Sequence, residues 1–146
     1  MKTLVAVCAL VAWAGCGSSK VQTREYEESQ VETLTKSFVA VVEKHYAGRN
    51  DGVLTFAPSR NRMRGHFHYK ETVDGVRGEI IELTFKKFGT TSVVSSETGK
   101  RRTTKKYKIV AREVERGSDK TLLELSNQIL AETDAMAARS TGKSGQ

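Results

Sequence analysis

The chain has 146 residues and carries 24 Lys and Arg against 17 Asp and Glu, a net charge of +7. That length supports one domain with a single modest core. Its two cysteines, Cys8 and Cys16, both lie near the N-terminus, so the body of the chain has no thiol for a disulfide, a Cys-bound metal or a nucleophile.

Lys2 is followed by an apolar run, Leu4 to Trp13, and by two small residues, Ala14 and Gly15, directly before Cys16. A positive start, a short apolar segment and a small-residue ending form a secretory signal, and the run is too short for a membrane-spanning helix. The small-small-Cys ending resembles the lipobox of bacterial lipoproteins, with Trp13 standing where such boxes carry Leu or another aliphatic residue. The resemblance covers about the first tenth of the chain. It implies removal of residues 1–15, acylation of Cys16 and a protein held to the cell envelope by lipid, facing the periplasm. Gly17 and Ser18 rather than Asp follow Cys16, which in enterobacterial lipoproteins directs the protein to the outer membrane.

Residues 16–23 are then a lipidated tether, 24–138 a single domain and 139–146 a disordered tail. Arg24 to Ala47 is predicted as a helix: Val31, Leu34, Phe38, Val41, Val42 and His45 recur at three- and four-residue steps. Glu25, Glu27 and Glu28 suit the positive end of its dipole, Gly48 its stop. His45 and Tyr46 close the helix, with a partly buried structural role for His45. Asn50-Asp51-Gly52 is a turn, and Val53 to Ala57 a short strand ended by Pro58.

Asn61 to Val73 alternates. Met63, Phe67, Tyr69 and Val73 hold odd positions, while Arg60, Arg62, Arg64, His66, His68 and Lys70 hold even ones. Period two puts the two sets on opposite faces of a strand. Gly78 to Phe88 repeats the pattern with Ile81, Leu83 and Phe85 against Glu82, Thr84 and Lys86. Opposed residues of an antiparallel pair share a face, so a two-residue Asp74-Gly75 turn would mix the faces. A three-residue loop, Val73-Asp74-Gly75, keeps them apart and sets Phe67 against Ile81, Met63 against Phe85 and His66 against Glu82.

Thr91 to Glu97 is a weaker strand and the expected sheet edge, where a partner's strand could add. Thr103 to Val114 is a strand with Tyr107, Ile109 and Ala111 on one face and Lys106, Lys108 and Arg112 on the other. Ser118 reads as an N-cap with Asp119 in the first turn, opening a second helix striped by Leu122, Leu125, Ile129, Glu132 or Thr133, and Met136. The expected fold is α+β: a two-layer sandwich of N-terminal helix, antiparallel meander of four or five strands and C-terminal helix. The helices cover the odd face of the sheet and leave the even face basic and wet.

Charge follows the same division. Residues 60–112 hold fourteen Lys and Arg against five Asp and Glu, whereas both flanks are slightly acidic. The ladder Arg60, Arg62, Arg64, His66, His68 and Lys70, extended by Lys86, Lys106, Lys108 and Arg112, is the candidate surface for an anionic ligand or partner: lipid phosphate, lipopolysaccharide, acidic peptidoglycan or an acidic protein. The competing reading is that an exposed sheet face must be polar whatever it binds. Nucleic acid is disfavoured by compartment and because Phe67 and Tyr69 point away from the cations, where they cannot stack bases beside them. His66 and His68 with Glu82 form a weak candidate for a two-His, one-carboxylate metal site, opposed by the cations Arg64 and Lys70 on either side. No catalytic motif is present; Glu79 and Glu82 fall on opposite faces, and no cofactor is called for. A metal-dependent enzyme is the third reading, behind an envelope binding or scaffolding protein and an anionic-lipid or glycan module.

Overall fold

A computed structural model describes residues 20–71, 77–86, 92–94, 101–103, 105–115 and 118–142. The signal segment, Cys16, the Val73-Asp74-Gly75 loop and the last four residues lie outside that set. In chain order the elements are β1 (Thr23–Tyr26), α1 (Val31–Tyr46), β2 (Gly52–Ser59), β3 (Arg62–Tyr69), β4 (Gly78–Lys86), β5 (Ser92–Val94), β6 (Arg101–Thr103), β7 (Lys105–Glu115), β8 (Ser118–Thr121) and α2 (Leu123–Gly142).

The main sheet is antiparallel in the order β1-β7-β4-β3-β2, with β8 also on β7. Its antiparallel meander is as expected except that β4 pairs directly with β7, with no strand from Thr91–Glu97 between them. Both helices lie over one face, giving the two-layer α+β sandwich. Phe67, Ile81, Leu83, Phe85, Tyr107, Ile109 and Ala111 from the sheet pack with Leu34, Phe38, Val41 and Val42 of α1 and Ile129, Leu130 and Ala137 of α2. The odd-numbered side chains of β3, β4 and β7 are therefore the buried ones. Each large one contributes roughly 1.5–3 kcal/mol of transfer free energy, which makes this alternation the main source of stability.

Several boundaries differ from the sequence reading. Thr23–Tyr26 is a strand, because Tyr26 packs its ring on Phe85 and Tyr107, with centroids 5.0 and 6.2 Å away. Glu25 thus belongs to β1, and Glu27 precedes a 3-10 turn, where its N–H donates to Gln30 Oε1 at 2.9 Å. The helix begins at Val31. Gly48, with φ of +82°, supplies the left-handed residue that ends it. Ser118 caps no helix: its hydroxyl donates to the Glu115 carbonyl at 3.1 Å, closing the tight turn between β7 and β8. At the far end α2 runs on through Gly142, so the first residues of the expected tail are helical.

The register of β3 on β4 also differs, by two residues. Phe67 lies opposite Glu79, Met63 opposite Leu83, His66 opposite Ile80 and Arg64 opposite Glu82. The Tyr69 N–H already donates to the Arg77 carbonyl at 3.2 Å, so the connection starts at Lys70 and exceeds three residues. A shift of two preserves which face each residue occupies, and the layering survives it. The Thr91–Glu97 segment is not an edge of the main sheet; Ser92–Val94 pairs with Arg101–Thr103 in a separate two-stranded ribbon.

The edge strands are β2 on one side and the short β1 and β8 on the other. β1 covers β7 at Lys105 to Lys108 and β8 covers it at Arg112 to Glu115. Between them the Ser126 hydroxyl, fully buried, accepts from the Ala111 N–H at 2.8 Å and approaches the Ala111 carbonyl at 3.4 Å. One side chain of α2 thus does the work of a missing strand residue. Ser126→Ala leaves the Ala111 N–H without its partner inside the core. Urea denaturation should show a loss of about 1–3 kcal/mol, whereas Ser140→Ala, at an exposed helical position, should change stability by less than about 0.5 kcal/mol.

Candidate functional site: the uncovered face of the sheet

Cross-strand pairing fixes the layout of the even face. Its rows run Val53-His68-Gly78-Val114-Asp119, Thr55-His66-Ile80-Arg112-Thr121, Ala57-Arg64-Glu82-Val110, Ser59-Arg62-Thr84-Lys108-Thr23, and Lys86-Lys106-Glu25. Eight of the ten expected basic residues meet there: Arg62, Arg64, His66, His68, Lys86, Lys106, Lys108 and Arg112. Arg60 sits instead in the turn between β2 and β3, and Lys70 just beyond the end of β3.

The ladder is not a uniform row of like charges. Arg64 donates to Glu82 Oε2 from Nε at 2.9 Å and from Nη2 at 2.8 Å, and Arg62 Nη1 stands 4.0 Å from the same oxygen. Burial alone would raise the Glu82 carboxyl; the bonds and charges of the two arginines outweigh it and hold the group below the usual carboxylate range. Arg112 pairs with Asp119 at 3.1 Å. The centre of the face is thereby neutralised. Cationic character concentrates at one end, where Lys86 is directly opposite Lys106, and Arg62 and Lys108 flank Thr84.

The weak candidate for a metal site, His66 and His68 with Glu82, is not assembled. Glu82 is bound to Arg64 one row away from His66, and the two imidazoles lie together with ring centroids 3.5 Å apart. Among the described residues no group of three or more His, Cys, Asp or Glu could hold a metal ion. His66 Nε2 is buried without a hydrogen-bond partner and points at the backbone of Gly78, where an added Cβ would come within 3.1 Å of it. His68 is exposed, with Nε2 at 3.4 Å from the Thr55 hydroxyl.

A second polar cluster, on the helix side, went unread. Glu79 shares the odd face with Ile81 and Leu83, and a carboxylate there needs partners. It accepts from the Tyr46 hydroxyl at 2.5 Å, the Tyr69 hydroxyl at 3.0 Å and Arg49 Nη1 at 3.0 Å. Arg49 also makes two bonds to Asp51, at 3.0 and 2.7 Å, and its guanidinium lies 4.3 Å from the centre of the Phe67 ring. Burial, then the carboxylate of Glu79, pushes the Tyr46 phenol far up. Every charge in the cluster is answered within it, so it acts as a lock between the end of α1 and the sheet. Its sequence signal was the parity of Glu79, which shares a face with the buried Ile81 and Leu83. His45 makes a comparable tie between helices, 3.3 Å from Glu132.

No protein-family model matches the chain, and comparison with curated proteins and with solved structures finds no match. The geometry therefore has to carry the functional reading alone.

The buried imidazole has a measurable consequence. Burial, then the charges of His68 and Arg64, lower the His66 pKa below its ordinary value of 6.5. The unfolded chain takes up that proton first as pH falls, so His66 subtracts stability below about pH 6.5, down to its folded pKa. NMR titration should place the His66 midpoint below 6.5. His66→Gln should flatten the fall in stability as pH drops below about 6.5. A His66 midpoint at or above 6.5 would contradict the burial described.

Proposed function

We propose that the protein is a lipid-anchored, periplasm-facing component of the bacterial envelope, most consistent with an outer-membrane lipoprotein, and that it binds or scaffolds through the uncovered cationic face of its sheet. The partner class is an anionic envelope component: phosphate-bearing lipid, acidic glycan or an acidic protein surface. Binding rather than catalysis is the proposed activity.

The observation that carries this reading is the cationic end of the uncovered face. Lys86, Lys106, Lys108 and Arg62 gather on that end of the face, with Glu25 opposite Lys106. An anion placed over that end would meet several cations at once.

The tether supports a site close to the membrane. The Gln22 N–H donates to Asn127 Oδ1 at 3.0 Å, and Asn127 Nδ2 donates to the Lys20 carbonyl at 3.4 Å, so the chain is held from Lys20 onward. Four residue steps from a lipidated Cys16 to Lys20 span at most about 14 Å. A domain so held would meet its partners within the headgroup region or just above it. None of the described helices is long and apolar enough to cross a membrane, which leaves the anchoring role to the lipid in this reading.

Two measurements test it. Cys16→Ser should abolish incorporation of labelled palmitate and shift the protein from the membrane pellet to the soluble fraction. In that Cys16→Ser background, binding to vesicles containing anionic lipid should weaken as salt rises. Adding Arg62→Ser and Lys106→Ser should cost about 2 kcal/mol, roughly thirtyfold, at about 1 kcal/mol for each cation near a charged surface. Arg64 is spared because it holds Glu82. Unchanged binding would reduce the basic face to a solvated surface.

A further inference from the structure

The two edges of the sheet are finished differently. On the β7 side the sheet ends in the four-residue strands β1 and β8 with Ser126 between them, whereas on the other side it ends in the eight-residue β2, which among the described residues pairs with β3. The Lys70 N–H donates to the Asp51 carbonyl at 2.8 Å, which sets the phase of the ladder. Hydrogen-bonded pairs alternate in an antiparallel ladder, so Val53, Thr55 and Ala57 bond inward to β3. Gly52, Leu54 and Phe56 then turn their N–H and C=O outward. Pro58, which has no N–H, takes the next outward position, as edge prolines do.

Chemically, β2 is unlike the rest of the surface. In a chain with 28% charged residues, Gly52–Ser59 contains no ionisable side chain, while β1 and β8 both do. Among the described residues Val53, 54% exposed, is the exposed large hydrophobic side chain. Leu54 and Phe56, half-buried, join Tyr46 and Phe67 in lining a groove of about 340 Å³ between α1 and β2. Edges that must stay single usually carry charge or a bulge; this one has only a proline near its end.

We propose that β2 is a pairing edge whose occupant is β2 of a second copy of this chain, antiparallel, with the two-fold axis through Thr55. An antiparallel edge is complementary to itself. In this register the outward groups of Leu54 meet those of Phe56 from the other copy, and Thr55 meets Thr55. Charge favours the same arrangement. Arg60, exposed beyond one end of β2, comes opposite Asn50 and beside Asp51 of the other copy, whose carboxylate stays half-exposed while bound by its own Arg49. Parallel pairing would bring the two Arg60 residues together instead. The two-fold closes at two copies, and it keeps both cationic faces on one side of a continuous sheet. The inference is independent of lipidation.

Thr55 is the test position. It is exposed on the uncovered face, and across the axis it forms a non-hydrogen-bonded pair with a Cα separation of about 4.5 Å, within disulfide range. In cells expressing the full chain, Thr55→Cys should give a reductant-sensitive adduct of twice the chain mass on mild oxidation. Ala57→Cys faces Val53 of the other copy and should give at least about fivefold less; mixing Ala57→Cys with Val53→Cys chains should restore the adduct. Differently tagged copies should co-purify, and Thr55→Lys, which sets two ammonium groups against each other on a solvent-facing position, should abolish this. Equal adducts at 55 and 57, an adduct of another mass, or co-purification unaffected by Thr55→Lys would each overturn the proposal. The wild-type chain, treated alongside, accounts for Cys8 and Cys16.

Discussion

Opposed residues in an antiparallel sheet share a face, and in this molecule only one face has helices to bury against. Those two facts constrain almost everything else. The odd positions of β3, β4 and β7 must be apolar or fully answered, and the even positions are free to be ionic. Leu83 and Ile109, Ile81 and Ala111, Phe85 and Tyr107 stand as opposed pairs inside the core. The rows between them carry Thr84 with Lys108 and Ile80 with Arg112. A shift by one residue anywhere would bury a cation and expose an aromatic ring.

The Thr133 hydroxyl apart, the polar side chains that the buried layer meets are tied off among the described residues. Glu79 is enclosed by two tyrosine hydroxyls and Arg49; Tyr107 donates to Asp134 at 2.9 Å; Ser126 serves the gap in the β7 edge. These contacts join α1 and α2 to opposite ends of the sheet. The even face carries its own ionic ties, among them the Arg64–Glu82 and Arg112–Asp119 pairs. His66 is the exception, an imidazole tucked against Gly78 with one nitrogen unanswered.

The layering was legible in the sequence because period two is a local signal, readable from Met63 to Lys86 without knowing any partner. The register was not, because a slip of two residues conserves every face. The difference lies in long-range detail: Glu79 must reach Tyr46 and Arg49, and a local Asp-Gly turn signal cannot report that. β1 and β8 were hidden by their brevity and polarity; the glutamates after Arg24 and the serine at 118 read as helix starts. Of the candidate face, the residues were recognisable but their neutralisation was not. Pairing Glu82 with Arg64 instead of His66 moved the cationic weight towards Lys86 and Lys106 and dissolved the imagined metal site. The expected edge strand is another such case: residues 91–97 look like a weak strand, but Ser92–Val94 pairs with Arg101–Thr103 outside the main sheet, which no local signal reports.

Hydroxyl-radical footprinting of the folded protein, read residue by residue, bears most directly on one-sided burial. The account requires Phe67, Ile81 and Tyr107 to react far more slowly than in the denatured chain, and Val53 and His68 to react nearly as fast as when unfolded. Rapid oxidation of Phe67 and Tyr107 alongside protection of Val53 and His68 would mean that the helices cover the other face, and the assignment of the cationic surface would fail with it.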